Sequence, residues 1–273
     1  MHLPPQIESA GYRLIALDAT GSTNDDALAA ARQGDPGRLW IVAREQQAGR
    51  GRQGRSWMSP PGNLYASLLL IDPCEPSLAP QLGFVAGVAL HEAVSDIARI
   101  DTPRLALKWP NDLLVEGAKV AGLLLEAHSL NEMRAFAVVI GFGVNVATAP
   151  SGTPYPAAAL RLIARDLAVE DLLGALARSF ARRFEDWRAA ATGGAAESFA
   201  SIRREWLRRA AGLGGPVTVR LPSGERSGRF AGLDPIGRLE LQTASGLERI
   251  DAGDLYFPHL RPGLAEKPST LAR

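Results

Sequence analysis

Seven residues between two apolar runs constrain this chain more than any other feature: Gly49-Arg-Gly-Arg-Gln-Gly-Arg55 follows the apolar stretch 39–44 and precedes Leu64–Ile71. The runs have the length and composition of sheet strands. The loop between them is therefore held at a sheet end rather than left free. Gly49, Gly51 and Gly54 let the backbone turn its N–H groups toward one anion. Arg50, Arg52 and Arg55 add planar, permanently charged forks suited to a phosphate or carboxylate. An exposed arginine loop and an RNA-binding Arg-Gly segment are the competing readings, and neither needs flanking strands.

The rest of the chain supplies the frame. Ser22-Thr23-Asn24-Asp25-Asp26 opens an alanine-rich run ending at Gly34, the pattern of a capped helix. Residues 77–99 carry helical spacing, with Gly83 and Gly87 on one face where a neighbour can approach closely. Apolar runs at 105–107, 113–115, 119–126 and 136–146, split by turns, predict a hairpin-rich mixed sheet and no regular βαβ repeat. Residues 147–159, rich in Pro, Ala, Ser and Gly, read as a mobile loop. Helices are expected over 168–211. Four short strands at 217–221, 228–233, 237–242 and 247–250 then predict a small β-barrel. The fold class is α+β: a mixed sheet packed with helices, followed by that barrel. Residues from about 262 read as a disordered tail.

Composition narrows the chemistry. With 30 basic and 29 acidic residues the net charge is +1, so no global field favours nucleic acid or an anionic membrane. Any cationic work is local. One cysteine, Cys74, cannot form an internal disulfide, which fits a reducing, cytoplasmic setting. The four histidines lack metal-ligand spacing. No secretion signal is visible, and no apolar run reaches the ~20 residues that span a bilayer.

Several short motifs carry polar residues where the chain turns. Ser22, Thr23 and Asn24 either cap a helix or read a ligand's polar head group. Lys108-Trp-Pro-Asn-Asp112 fixes a rigid turn at a strand end, from which Asn111 can reach a base or ribose. Asp112 there either anchors the turn, bonds its own backbone or helps hold magnesium. Lys119 offers a point charge for a reaction at phosphate, and Gly122 leaves room beside it. Gly141, Gly143 and Asn145 repeat close approach plus one amide, unless the glycines mark bulges. Trp57 can stack on a purine or close a pocket.

Taken together, Ser22-Thr23-Asn24, Gln46 with Gly49–Arg55 and Trp57, Lys108–Asp112, Lys119-Val-Ala-Gly122 and Gly141-Phe-Gly-Val-Asn145 closely resemble the biotin protein ligase family. The resemblance implies a biotin/lipoate ligase-like catalytic domain over 1–212 and an SH3-like barrel over 213–261, with the tail at 262–273. It implies that biotin's carboxylate attacks the α-phosphate of ATP to give biotinyl-5'-adenylate, with Mg2+ offsetting phosphate charge. A lysine of a biotin carboxyl carrier protein or domain then takes the biotin. By similarity Ser22, Thr23, Asn24, Gln46, Gly49, Arg50, Gly51, Arg52, Lys119 and Gly122 face biotin. Arg55, Trp57, Asn111 and Asn145 seat the adenylate, and Arg52 and Lys119 are the catalytic pair. The resemblance assigns no metal ligand and leaves oligomeric state open, a homodimer included. Some relatives carry an N-terminal DNA-binding domain and repress transcription. About twenty residues precede Ser22 here, so a ligase without repressor activity is expected. A lipoate or octanoate ligase, and an RNA-binding module, are the rivals.

Overall fold

In the computed structural model, residues 1–130, 135–191 and 195–257 are described. The expected tail lies outside them. The apolar runs become a seven-stranded mixed sheet in the order β1-β2-β3-β7-β6-β5-β4. Its strands are β1 (Arg13–Thr20), β2 (Leu39–Gln46), β3 (Leu64–Ile71), β4 (Leu105–Lys108), β5 (Asp112–Val115), β6 (Ala118–Leu130) and β7 (Ala135–Val144). β1 and β2 are parallel and every other pair is antiparallel.

The unbroken run in β2 has a physical reason: the sheet is covered on both faces, so Leu39 to Ala43 are all buried. Trp40 and Val42 enter the larger core. Leu39 and Ile41 meet Ala27 and Ala31 of α2 (Thr23–Arg32) on the opposite side. The larger core lies beneath α3 (Gln81–Ala98), α4 (Val169–Ala191) and α5 (Ala195–Arg208). On α4, Leu172, Leu176, Phe180 and Phe184 recur at four-residue spacing and are all buried, as an amphipathic helix requires. The rings of Phe180, Phe184 and Trp187 stack along it, with centroids 5.8 and 6.0 Å apart. Truncating a buried ring of this kind costs about 3–5 kcal/mol. Gly83 and Gly87 face their neighbours as expected, but a methyl group at either would meet only ordinary contacts of 3.9 and 3.6 Å. Helix packing here does not depend on their being glycine.

A second, antiparallel sheet follows in the order β11-β10-β9-β8-β12. It comprises β8 (Pro216–Leu221), β9 (Gly224–Leu233), β10 (Leu239–Thr243), β11 (Gly246–Ile250) and β12 (Asp254–Tyr256). β12, which the strand pattern did not announce, pairs with β8. This sheet shares the larger core through Val217, Phe230 and Leu255. Its Gly237 turn accepts the buried Trp109 indole N–H at 3.3 Å and packs on Phe84. Trp109 thus ties the Lys-Trp-Pro-Asn-Asp turn to the C-terminal unit.

Residues 147–159 do form a loop, but the loop is tied down. Asn63 Oδ1 accepts the N–H groups of Val146, Ala147 and Thr148 at 2.9, 2.9 and 3.1 Å. Farther on, Lys119 N–H donates to Pro156 at 2.8 Å and Ala158 N–H to Lys119 at 3.0 Å. Composition alone does not reveal such pairing, because the partners are distant in sequence. No helix among the described residues is long and apolar enough to cross a membrane.

Candidate active site

One cleft opens over β6 and β7 and gathers most of the residues singled out from the sequence. At its polar end stands the start of α2. Ser22 occupies the N-cap position, yet its side chain makes no capping hydrogen bond, so capping alone does not account for the motif. Thr23 instead donates its N–H and approaches with its hydroxyl to Gln46 Oε1, at 2.9 and 3.1 Å. Gln46 donates in turn to Ser59 Oγ at 3.0 Å. Ser67 of β3 lies 2.7 Å from Thr23 Oγ1 and donates to Asn24 Oδ1 at 2.6 Å, while Asn24 Nδ2 donates to Glu126 at 2.6 Å. A Cβ on Gly141 would sit 2.5 Å from Asn24 Oδ1, so glycine is required there for close approach. The result is a fixed hydrogen-bonding pocket with Glu126 behind it.

The Gly/Arg loop crosses the mouth, and its three arginines go to three different places. Arg50 makes a two-pronged pair with Asp25 of α2 at 2.5 and 2.7 Å and lies 3.7 Å from Glu126. The Arg50 hydrogen bond holds the Asp25 carboxyl below its ordinary range. Arg55 grips both oxygens of Asp254, on β12, at 2.8 Å. Arg52 is different. It reaches two carbonyl-type oxygens, Asn111 Oδ1 at 3.4 Å and Gly253 O at 3.3 Å, and no ion pair ties it among the described residues. Burial pushes its guanidinium below the ordinary value, outweighing the pull of the nearby Asp254 and Asp112 carboxylates. Part of the loop backbone is used within the loop. Gly51 N–H donates to Arg55 at 2.7 Å and Trp57 N–H to Gly49 at 2.8 Å, so these two amides close the loop on itself.

Trp57 lies against a slot formed by Gly122 and Gly143, which face each other across β6 and β7. A Cβ on Gly143 would be 2.6 Å from the indole, and one on Gly122 would be 3.1 Å away. The indole N–H is buried without a hydrogen-bond partner among the described residues. Beside it, the buried Asp112 accepts Lys119 Nζ at 2.6 Å and Lys108 Nζ at 3.1 Å. Burial works to raise the Asp112 carboxyl, but the two ammonium groups outweigh it and keep it below the usual carboxylate range. Asp112 therefore anchors two lysines rather than its own backbone. Asn111 donates to Leu123 O at 2.5 Å, which holds its Oδ1 toward Arg52. Apart from Arg50, which Asp25 and Glu126 neutralise, the lining carries four cationic side chains, Arg52, Arg55, Lys108 and Lys119, against two carboxylates, Asp112 and Asp254. That excess suits a polyanion.

Two expected ligand contacts lie outside the lining. Gly49 is held under the loop, where a Cβ would meet Ser59 Oγ at 2.6 Å, and the buried Asn145, next after β7, donates its N–H to Val120 O of β6 at 2.8 Å. The lining adds Lys108, Tyr155, Asp254 and Tyr256, to which the sequence reading gave no site role, and Glu126 and Ser67 support it. Glu126 stands four residues beyond Gly122 on the same strand, a period-2 relation that could have flagged it. Nothing local marks Tyr155 or Asp254.

Comparison with known proteins agrees with this geometry. Residues 19–145 match the model of the biotin/lipoate A/B protein ligase family, and residues 212–257 match the biotin protein ligase C-terminal domain. The chain is 41% identical to a biotin–[acetyl-CoA-carboxylase] ligase of Paracoccus denitrificans, covering 88% of this chain and 99% of that one. It is 32% identical to the bifunctional ligase/repressor BirA of Bacillus subtilis, covering 91% and 75%. A biotin protein ligase of Aquifex aeolicus, solved in complex with biotin and ATP, superposes with a TM-score of 0.75 at 27% identity over 89% of this chain and 97% of that one. With two family models matched in the expected order and a relative aligned along nearly its whole length, the chain belongs to the biotin protein ligases of the biotin/lipoate A/B protein ligase family.

Proposed function

We propose that the protein is an ATP-dependent biotin protein ligase that forms biotinyl-5'-AMP and then biotinylates one lysine of a biotin carboxyl carrier domain. The observation that carries the reading is the polarity of the cleft: a hydrogen-bonding pocket at the start of α2 continues into a cationic floor. A ureido ring has two N–H donors and a carbonyl to offer Ser22, Thr23, Asn24 and Gln46. A dithiolane or an alkyl chain offers those groups no hydrogen bond in return and would only take them out of water.

In the first step a carboxylate oxygen of biotin bonds to the α-phosphorus of ATP as the bond to pyrophosphate breaks. Negative charge gathers on the phosphoryl oxygens, where Arg52 and Lys119 meet it, with Arg55 beside them. Trp57 and Asn111 hold the adenylate. Gly49, Gly51 and Arg50 close the loop over biotin, and Gly122 leaves room for its chain. Asn145 supports β6 from behind. In the second step a carrier lysine amine attacks the acyl carbon, AMP leaves with the bonding pair, and the amine's proton passes to solvent. Positioning and electrostatics supply the acceleration, so no protein nucleophile is needed. Mg2+ fits this chemistry as a companion of the nucleotide. It favours phosphate oxygens and waters with one or two carboxylates, and Asp112 and Asp254, both already ion-paired, are the carboxylates the lining offers. It would supply added charge neutralisation at the phosphates.

The C-terminal sheet is read as an SH3-like barrel over 213–261 attached to a catalytic domain over 1–212, and the enzyme as cytoplasmic. Biotin-dependent ATP–pyrophosphate exchange, followed by transfer to a carrier domain, tests the function. Exchange with lipoate or octanoate but not biotin would overturn it. Arg52→Ala and Lys119→Ala are expected to lower exchange about 10²–10³-fold while circular dichroism stays native. Near-normal exchange in both would remove the assigned roles.

A further inference from the structure

Lys108 and Lys119 pose a charge problem. Two ammonium groups, 12% and 13% exposed, share the single carboxylate of Asp112, so one positive charge is left over in a largely dry place. A second carboxylate would neutralise it. What the fold places there instead is aromatic: the Trp57 ring, Lys119, the Tyr155 ring, Lys108 and the Tyr256 ring follow one another, with successive nitrogen-to-centroid distances of 5.3, 5.3, 5.7 and 5.8 Å. All four fall within the ~6 Å reach of the attraction between a cation and a ring face. Tyr155 is the ring common to both lysines.

We propose that Tyr155 is a positioning residue for the adenylation step, its ring serving as the shared face that holds Lys108 and Lys119 beside one carboxylate as a paired receptor for phosphate. The inference rests on the role given to Lys119 above. A ring face stabilises an ammonium group without cancelling its charge and without occupying it with an oxygen acceptor, so that charge is kept for the ligand. The backbone makes the placement definite. The residues flanking Tyr155 are locked to Lys119 itself, through Lys119 N–H on Pro156 at 2.8 Å and Ala158 N–H on Lys119 at 3.0 Å. Thr153 Oγ1 closes the turn on Tyr155 O at 2.5 Å. A shift of this loop therefore moves ring and lysine together.

The test varies the ring face at constant shape. Tyr155→Phe is expected to keep at least half of the pyrophosphate-exchange rate. Tyr155→Leu is expected to lose about tenfold in kcat, with biotin affinity by calorimetry within twofold. Installing phenylalanine with one and then three ring fluorines at position 155 should lower kcat stepwise, because fluorine drains the face while hardly changing its size. This series does not depend on the leucine variant folding. A flat fluorine series, or a Phe variant as impaired as the Leu variant, would overturn the proposal. Lys119→Ala separates the two ideas: normal exchange there sinks the role of Lys119, whereas a dead Lys119→Ala with a flat fluorine series sinks Tyr155 alone.

Discussion

Replacing Gly143 with alanine tests the most specific contact in the cleft. The added Cβ would fall 2.6 Å from both Cε2 and Nε1 of Trp57 and 2.9 Å from Cζ2. Carbon atoms rest at about 3.5–4.0 Å, so the indole must withdraw by roughly 1 Å. Gly143 has no left-handed backbone angle, and the whole effect comes from this overlap rather than from backbone strain. Gly122 opposite would also lie 3.1 Å from the ring if it carried a Cβ, so the indole lies close over both strands. Pushing a ring off its rotamer costs about 0.5–1.5 kcal/mol, and overpacking about 1–3 kcal/mol. Because Trp57 is only half-buried, about 1–2 kcal/mol is expected. Urea denaturation followed by circular dichroism reads the loss in Gly143→Ala, in Trp57→Ala and in the double variant. If the account is right, the alanine at 143 costs almost nothing once Trp57 is gone, giving a coupling of about 1–2 kcal/mol. An equal cost in both backgrounds, or a loss below about 0.3 kcal/mol in the single variant, would refute it.

Other consequences follow from buried polar groups outside the cleft. Burial lowers the His91 imidazole to about 4, with Nε2 3.1 Å from Leu105 O and Nδ1 unpartnered. The folded value lies below the unfolded ~6.5, so the unfolded chain binds the proton first, and stability falls as pH drops from about 6.5 toward 4. The expected loss is about 2 kcal/mol at pH 5. His91→Gln should flatten the stability profile between pH 7 and 5, and an unchanged slope would exclude His91 as its source. Asn63→Ala removes the acceptor for three amide groups and should cost about 2–4 kcal/mol in chemical denaturation. Asn63→Asp is no control, because its carboxylate would replace the Nδ2 donor to Thr148 O at 3.0 Å; a loss below about 0.5 kcal/mol in Asn63→Ala would mean that those bonds do not hold the loop.

Local pattern was enough for much of this protein. The apolar run at 39–44 read as a strand and is one, with Leu39 to Ala43 buried on both faces, and the four-residue spacing of Leu172, Leu176, Phe180 and Phe184 marked the buried face of α4. That Gly122, Gly141 and Gly143 allow a close approach was legible too, but that the approaching groups are the Asn24 side chain and the Trp57 indole was not. The Gly/Arg loop also stood out, but only tertiary structure turned the Gly51 amide back onto Arg55 and sent the three arginines to Asp25, Asp254 and the Asn111 turn. Asp254 lies 199 residues from Arg55, and Tyr155 faces Lys108 and Lys119 across a loop that composition describes only as irregular. Periodicity reports which side of an element meets the core. Which carboxylate neutralises a given cation, and which one leaves Arg52 unpaired for a ligand, depends on how distant elements pack, and that was decided only when the sheet, the loop and the C-terminal unit came together.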